Sequence, residues 1–317
     1  MATSVDILIL GAGWTSTYLT SLCQARSISY AATTRSGRDG SLMFDFEQEK
    51  DDDAQLGQFE SLPDAATVVI TFPIIVNGAS AKLVRLYNQT RRHGGTAKFI
   101  QLGTTSIWDG ASKNHITASQ AASHQWYDRH STYVSNARST SEDELLALSP
   151  NVPTTILHLS GLWGGQRDMR KWVGRVAPTK DALRNKGSIH MIHGHDVARA
   201  ILAVHSQFPK ASGQRWLLTD GRVYDWWDLA SAWGASPPSS VTVDSVNGLD
   251  SSNGVTERTS AEATKGPPAW VLELMLESGV RALPRDTALL GRALDSREFW
   301  REFGLLPERA RLDKGDL

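Results

Sequence analysis

The sequence predicts an α/β protein built on a doubly wound parallel sheet, with a smaller C-terminal domain. Three observations predict it. A continuous apolar run near the N-terminus leads straight into a glycine turn. Apolar runs of strand length then alternate with segments of helical period through most of the chain. The 317 residues, 40% of them hydrophobic and 21% charged, suffice for a large core plus a smaller one.

Val5–Leu10 is apolar except for Asp6 and ends in Gly11-Ala12-Gly13, the pattern of a buried parallel strand entering a tight turn. Residues 14–26 follow as a helix, with Tyr18, Leu19 and Leu22 at helical spacing. A second strand is read over 28–34 and a third over 67–72, stopped by Pro73. Residues 79–93 read as a helix and 97–102 as another buried strand. A helix is expected over 142–148 and a strand over Thr154–Leu159. The second half alternates less cleanly: strand 188–192, helix 196–208, strand 215–219, helix 225–233. From 236 to 268 the composition turns to Ser, Pro, Thr, Asn and Gly and reads as a long excursion. Residues 269–278 and 296–303 read as late helices.

Lys plus Arg is 33 and Asp plus Glu is 34. That balance excludes a nucleic-acid binder working by bulk charge, which needs a basic excess. No apolar stretch reaches the length of a membrane span, so no membrane partner is expected. The single cysteine, Cys23, forms no internal disulfide and no cysteine-based zinc site. The first residues lack the basic region of a signal peptide. A reducing, cytoplasmic setting is therefore expected.

The sharpest local signal is Gly11-Ala12-Gly13-Trp14-Thr15-Ser16 between a strand and a helix. Gly11 permits the turn, and Gly13 lets the backbone approach a pyrophosphate at the helix N-terminus. Ser16 replaces the third glycine of the dinucleotide fingerprint and is small enough to keep helix and strand close. The pattern predicts a Rossmann dinucleotide-binding core over 1–160, to which 188–220 returns. Residues 161–187 and 221–317 are then the substrate-binding cap. NAD-binding chains place an acid after the second strand; here stand Thr34, Arg35 and Ser36, with no acid before Asp39. Arg35 offers a planar fork to a 2′-phosphate, assisted by Ser36 or Arg38, which favours NADP(H).

In order along the chain, several segments resemble extended, atypical short-chain dehydrogenases/reductases of the NAD(P)-dependent epimerase/dehydratase superfamily. They are the glycine loop with Arg35, then Thr71-Phe72-Pro73, then Leu102-Gly103-Thr104-Thr105-Ser106-Ile107-Trp108. Next come Ile156 to Gly164 and Ile192-His193-Gly194-His195-Asp196-Val197-Ala198. Together they span about residues 5 to 205. The resemblance implies that Phe72 and Pro73 line the cofactor and that Thr104 stands where the family has its catalytic Ser or Thr.

The family's Tyr-x-x-x-Lys dyad is absent from this sequence. Tyr87 is followed by Arg91 but precedes the Ser/Thr strand, and Tyr127 is followed by Ser131. Tyr133 lies at about the family's distance before the Thr154 strand, but Ala137 holds the partner position, with Arg138 adjacent. Ordinary carbonyl reduction is thereby put in doubt; cofactor binding is not.

The segment His115, His124, Trp126, Tyr127, His130 and Tyr133 falls where such folds line the active cleft, and a histidine there titrates near neutral pH. Thr104, Tyr133 and His130 are thus the catalytic candidates, each set against a plain packing or capping role. Trp108, Trp126, Tyr127 and Trp163 are candidates to wall an apolar substrate pocket, although most large aromatics are core. His190, His193 and His195 are closely spaced on a strand and turn whose geometry does not converge three rings, so no metal site is expected. Arg167, Arg170 and Lys171 are read as a solvated basic face, or as groups meeting an acidic substrate or the cofactor.

Three functions stay open. One is an NADP-dependent reductase of a small, largely apolar metabolite with a remodelled acid group. Another is a non-redox isomerase, dehydratase or cyclase on the same scaffold, pericyclic ring formation included. The third is a non-enzymatic NADP sensor. A small-molecule substrate is the expected partner, and a homodimer is compatible with the fold.

Overall fold

In the computed structural model, β1 (Val5–Leu10) runs through the middle of the chain's main sheet and is buried from Ile7 to Leu10. The structure describes residues 4–91, 96–109, 125–234 and 266–310. β1 enters α1 (Trp14–Ala25), followed by β2 (Tyr30–Thr34), the two-residue β3 (Leu42–Met43), α2 (Asp52–Glu60), β4 (Ala65–Ile70) and α3 (Ala79–Gln89). β5 (Lys98–Thr104), β6 (Gln125–Tyr127), α4 (Ala137–Leu146), β7 (Thr154–Leu159) and β8 (Gly161–Trp163) come next. The second half contains α5 (Val173–Val176), α6 (Lys180–Arg184), β9 (Ser188–Ile189), β10 (Met191–His193), α7 (Gly194–Ser206) and β11 (Gln214–Leu218). It closes with β12 (Tyr224–Asp225), α8 (Trp226–Trp233), α9 (Pro267–Ser278), β13 (Arg292–Leu294) and α10 (Arg297–Glu302).

The main sheet has the order β11-β7-β5-β4-β1-β2-β3, and every pairing in it is parallel. This is the predicted doubly wound α/β class. The two-residue alternation of β1 explains why both faces are covered. Ile7 and Ile9 pack with α1, α7 and α10, through Leu19, Val197, Ile201 and Phe299. Leu8 and Leu10 pack on the opposite side with Phe59, Leu83 and Val84 of α2 and α3. Each such side chain contributes about 1.5–3 kcal/mol when fully buried, which is why so apolar a run must be central.

A separate core gathers Trp163, Met169, Val173, Leu183, Met191, Trp226, Trp227, Val271 and Leu274. Trp226 and Trp227 of α8 pack within it. α10 departs from the expected 221–317 boundary. Its Phe299 and Trp300 pack with β11 and α7 on the main sheet, because Trp216 of β11 presents an aromatic face to Phe299 at 5.7 Å. The expected strand 188–192 is divided. Ser188–Ile189 pairs antiparallel with β12, and Met191–His193 pairs parallel with β8. The 236–268 excursion lies outside the described residues except for its end, where Pro267 and Pro268 open α9.

Candidate functional site

Gly11 ends β1 with φ +92°, in the left-handed region. A Cβ there would lie 2.7 Å from Thr71 Oγ1 and 3.1 Å from the Phe72 ring. The turn is braced from both neighbouring strands. Gly11 N donates to Thr33 Oγ1 at 3.0 Å, and the Thr71 hydroxyl donates to Gly11 O at 2.5 Å. Gly13 is the N-cap of α1 and lends the helix no side-chain acceptor. A Cβ on Gly13 would meet nothing within 4 Å, so its surface is open where an anion would approach. Ser16 turns inward, is buried, and donates its hydroxyl to Gly13 O at 2.5 Å. Thr15 shares the first turn of α1, which contains no acidic residue.

Beside the loop opens a cleft of about 530 Å³. Gly11 and Gly13 form one wall; Arg35, Ser36 and Arg38 form the second, and Phe72 and Pro73 the third. Phe44, Asp45, Phe46 and Gln48 complete it. Arg35 and Ser36 are exposed and make no side-chain hydrogen bond or ion pair among the described residues. The loop carrying them is tied down by Thr34, whose hydroxyl meets Ser41 Oγ at 2.7 Å and accepts from Arg38 N at 3.2 Å.

On the other side of the loop an aromatic column joins α1 to α7. Trp14 meets Tyr18 edge-on at 5.0 Å, Tyr18 meets His193 at 5.3 Å, and His193 meets Trp163 at 4.7 Å. Trp163 is therefore a buried member of the second core. His193 Nδ1 accepts from His195 N and caps α7. His195 Nε2 meets Glu308, and His190 Nε2 accepts from Leu294 N, so the three rings serve different partners. Asp196 fixes the junction, as expected, by pairing with Arg199, and it also accepts from Glu308 N and Arg309 N.

Thr104 ends β5 on the same sheet edge as the glycine loop, two strand spacings (~10 Å) from β1. Its hydroxyl caps the following turn by accepting from Ser106 N at 3.3 Å. Beneath it lies a buried polar cluster. His158 Nδ1 donates to Thr104 O at 3.1 Å, and Arg138 Nε donates to Glu142 Oε1 at 3.1 Å. Burial pushes the Glu142 carboxyl up to about 7 and holds the His158 imidazole down at about 3, hence neutral. Gly103 belongs to this cluster, since a Cβ there would lie 2.7 Å from His158 Nδ1 and 2.9 Å from Glu142 Oε1.

The remaining candidates do not line the glycine-loop cleft. Trp108 is buried in a core with Ile107, Leu217 and Leu294, meets His158 edge-on at 5.0 Å, and donates its indole N–H to Ser131 O. It walls no pocket. Tyr127 and Tyr133 pack against that same cluster. The Tyr133 hydroxyl donates to Asp143, and its ring lies under Arg215 at 4.4 Å. Burial and that bond to Asp143 raise its pKa. His130 is exposed and shares Glu298 with Arg129 at the β11 side of the sheet. Trp126 is exposed on β6. Thus the candidates spread along the sheet from the glycine loop to the β11 edge, four strand spacings (~19 Å) apart, with Thr104 on β5 between them. Tyr87 is structural: its hydroxyl donates to Pro63 O and Arg91 stacks on its ring. His115 and His124 lie outside the described residues.

No family model matches the sequence, and no curated protein does. Solved structures do match. A short-chain dehydrogenase/reductase superfamily protein from Agrobacterium tumefaciens, with bound NAD, aligns over 97% of this chain and 94% of its own, at 11% identity and a TM-score of 0.57. A nucleoside-diphosphate-sugar epimerase from Pseudomonas aeruginosa aligns over 98% and 94%, at 16% identity and a TM-score of 0.54. The yeast methylglyoxal/isovaleraldehyde reductase, complexed with NADPH, aligns over 96% and 93%, at 11% identity and a TM-score of 0.52. The chain has the Rossmann-like α/β fold of these short-chain dehydrogenase/reductase and epimerase structures.

Within this fold, several residues around the glycine turn and under Thr104 escaped the sequence reading. Thr33, which braces the glycine turn, carries no motif of its own. Asp45 lies between the buried Phe44 and Phe46, just after the edge strand β3. The alternation Phe-Asp-Phe was a usable signal for a strand end with one polar group turned outward. Arg138 and Glu142 stand four apart on α4, an ion-pair spacing visible in the sequence, whereas His158 comes from β7 and nothing local joins it to them.

Proposed function

We propose that the protein is an NADP(H)-binding enzyme that acts on a small, largely apolar organic molecule, as a reductase with a remodelled acid group. One observation carries the cofactor reading: Arg35 and Ser36 stand unpartnered on the wall of a cleft whose other wall is the glycine loop. A planar guanidinium with no internal partner suits a 2′-phosphate, and the open surface of Gly13 suits the diphosphate. The residues present fit the dinucleotide: Gly11, Gly13, Trp14, Thr15 and Ser16 at the diphosphate, Arg35 and Ser36 at the 2′-phosphate, Phe72 and Pro73 beside the adenosine half. Bound there, the cofactor supplies hydride. Thr104, on the same sheet edge, is the hydroxyl proposed to orient a substrate oxygen.

The test is nucleotide binding to the purified chain. NADPH is expected to bind at least tenfold more tightly than NADH, and Arg35→Asp is expected to abolish that preference. Equal affinities in the wild type would overturn the NADP reading. NADPH oxidation over a panel of carbonyl, enone and imine substrates then tests reduction.

A second reading is favoured by a separate observation. The Tyr133 hydroxyl is spent on Asp143, and Ala137 follows it where the family has lysine. A chain without that acid suits a non-redox isomerase, dehydratase or cyclase in which bound cofactor shapes the pocket and substrate geometry does the work. Product formed without any change in NADPH absorbance would select this reading.

A further inference from the structure

A guanidinium stands beside the N-terminus of α1. Arg167 lies over the ring of Trp14, the first residue of that helix, at 4.4 Å. A cation is the wrong sign for this place. Helix N-termini carry partial positive charge and are stabilised by acids, not by arginine. α1 has no acid in its first turn and no side-chain cap, so nothing local offsets the added charge. Arg167 is exposed and has no carboxylate partner among the described residues.

Its position is also built. Arg167 exchanges two backbone hydrogen bonds with Gly164, at 3.1 and 3.2 Å, closing a tight strap. Gly164 has φ +111°, and a Cβ on it would run into His193 Nε2 and Tyr18 Oη. The Trp14 indole donates to Gly164 O at 3.3 Å. The strap is thereby locked to the glycine-loop helix on one side and to the cap of α7 on the other. Gly165 and Gln166, at its tip, line one cleft of about 1050 Å³ together with Gly13 and Trp14, while Arg167 lines an adjoining small cleft that shares Gln166. The strap backbone thus carries the guanidinium over Trp14, beside a helix N-terminus of like sign.

We infer that Arg167 is the diphosphate-holding side chain of the nucleotide site, closing over the glycine loop from the 164–167 strap. The inference rests on the nucleotide reading given above. The backbone N–H groups of α1 take one side of the anion and the Arg167 fork takes the other, while Trp14 fixes the plane of the guanidinium.

Two probes separate this from the parent reading: NADPH, which contains the diphosphate, and 2′-AMP, which does not. Both are titrated calorimetrically into the full chain. Arg167→Ala is expected to weaken NADPH at least tenfold and to leave 2′-AMP within twofold. Arg167→Lys, which keeps charge but not the fork, is expected to fall between. Arg175→Ala removes the other arginine of the small cleft that Arg167 itself lines, where it stacks on Trp172, and it is expected to change neither affinity. Unliganded Arg167→Ala is expected to melt no lower than wild type. The inference is overturned if Arg167→Ala leaves NADPH unchanged. It is equally overturned if the variant weakens both probes alike, or if Arg175→Ala matches it, since diffuse charge would then explain the effect. Wild type that binds neither probe overturns the nucleotide reading itself, an outcome distinct from wild type binding both with Arg167→Ala unaltered.

Discussion

Tyr133 donates its hydroxyl to both oxygens of the Asp143 carboxylate, at 2.7 and 2.8 Å. Arg215 meets the same carboxylate and also stacks on the tyrosine ring. The phenol is thus a structural donor, locked between α4 and β11, and its proton is held rather than offered. Tyr133→Phe is expected to leave turnover within about threefold and to cost about 1–2 kcal/mol of stability. A fall of a hundredfold or more in turnover, with the melting temperature unchanged, would restore Tyr133 as the acid.

The two loop glycines differ in what an added methyl group would do. At Gly11 it meets Thr71 and Phe72 and forces a left-handed residue to carry a Cβ. Gly11→Ala is expected to destabilise the fold by about 1–3 kcal/mol or more. At Gly13 the methyl group meets no protein atom, so Gly13→Ala is expected to cost at most about 1 kcal/mol, as a weakened N-cap. It nevertheless occupies the surface an anion needs, and NADPH affinity should drop at least tenfold. Thermal melts and NADPH titrations of the two variants check this. Equal losses of stability would contradict the geometry.

The contrast between loop and acid shows what the sequence could convey. Val5–Leu10, the turn and α1 are local: one run of residues contains the strand, the φ-permissive glycine and the helix start. Tyr133 was placed by counting back from β7, and the count misled because α4 begins at Ala137. The signal was present: Asn136 and Ser139 form a reciprocal capping box at that point. α2 was missed because its buried positions are Gln55 and Phe59, and a glutamine hides an apolar face. Gln55 earns its burial by bonding the backbone of Glu47 and Lys50. The β6–β13 pair joins residues 125–127 to 292–294, and no local period announces a partner so distant.

The second core hangs on a buried ion pair. Asp225 caps α8 through Trp227 N at 2.8 Å and holds Arg285 through its backbone N–H, Nε and Nη2. Arg285 in turn stacks on Trp227 at 3.9 Å and donates to Lys186 O. Both side chains are nearly fully buried. Removing one partner leaves the other charge without compensation. Asp225→Ala is expected to destabilise by about 3–5 kcal/mol, and chemical denaturation measures it. A loss below about 1 kcal/mol would mean that water reaches Arg285.

Glu142 couples the polar cluster under Thr104 to pH. Burial pushes its carboxyl up to about 7, against an ordinary value of ~4.3 in the unfolded chain. Between those values the folded chain holds the extra proton. Stability therefore falls as pH rises through that window. Asp220, also raised by burial to about 7, acts in the same direction. The neutral, buried His158 and His190 act oppositely, losing stability as pH drops from ~6.5 toward their folded values of about 3. The opposed slopes hide one another in the wild type, so the difference between two proteins is the informative quantity. Glu142→Gln keeps an acceptor for Arg138 Nε and removes the proton. From about pH 4.5 to about pH 7, wild type is expected to lose up to about 3 kcal/mol relative to the variant. Urea unfolding of both proteins at each end of that range measures it. A stability difference that stays constant would show that Glu142 is ionised throughout, held by Arg138 alone.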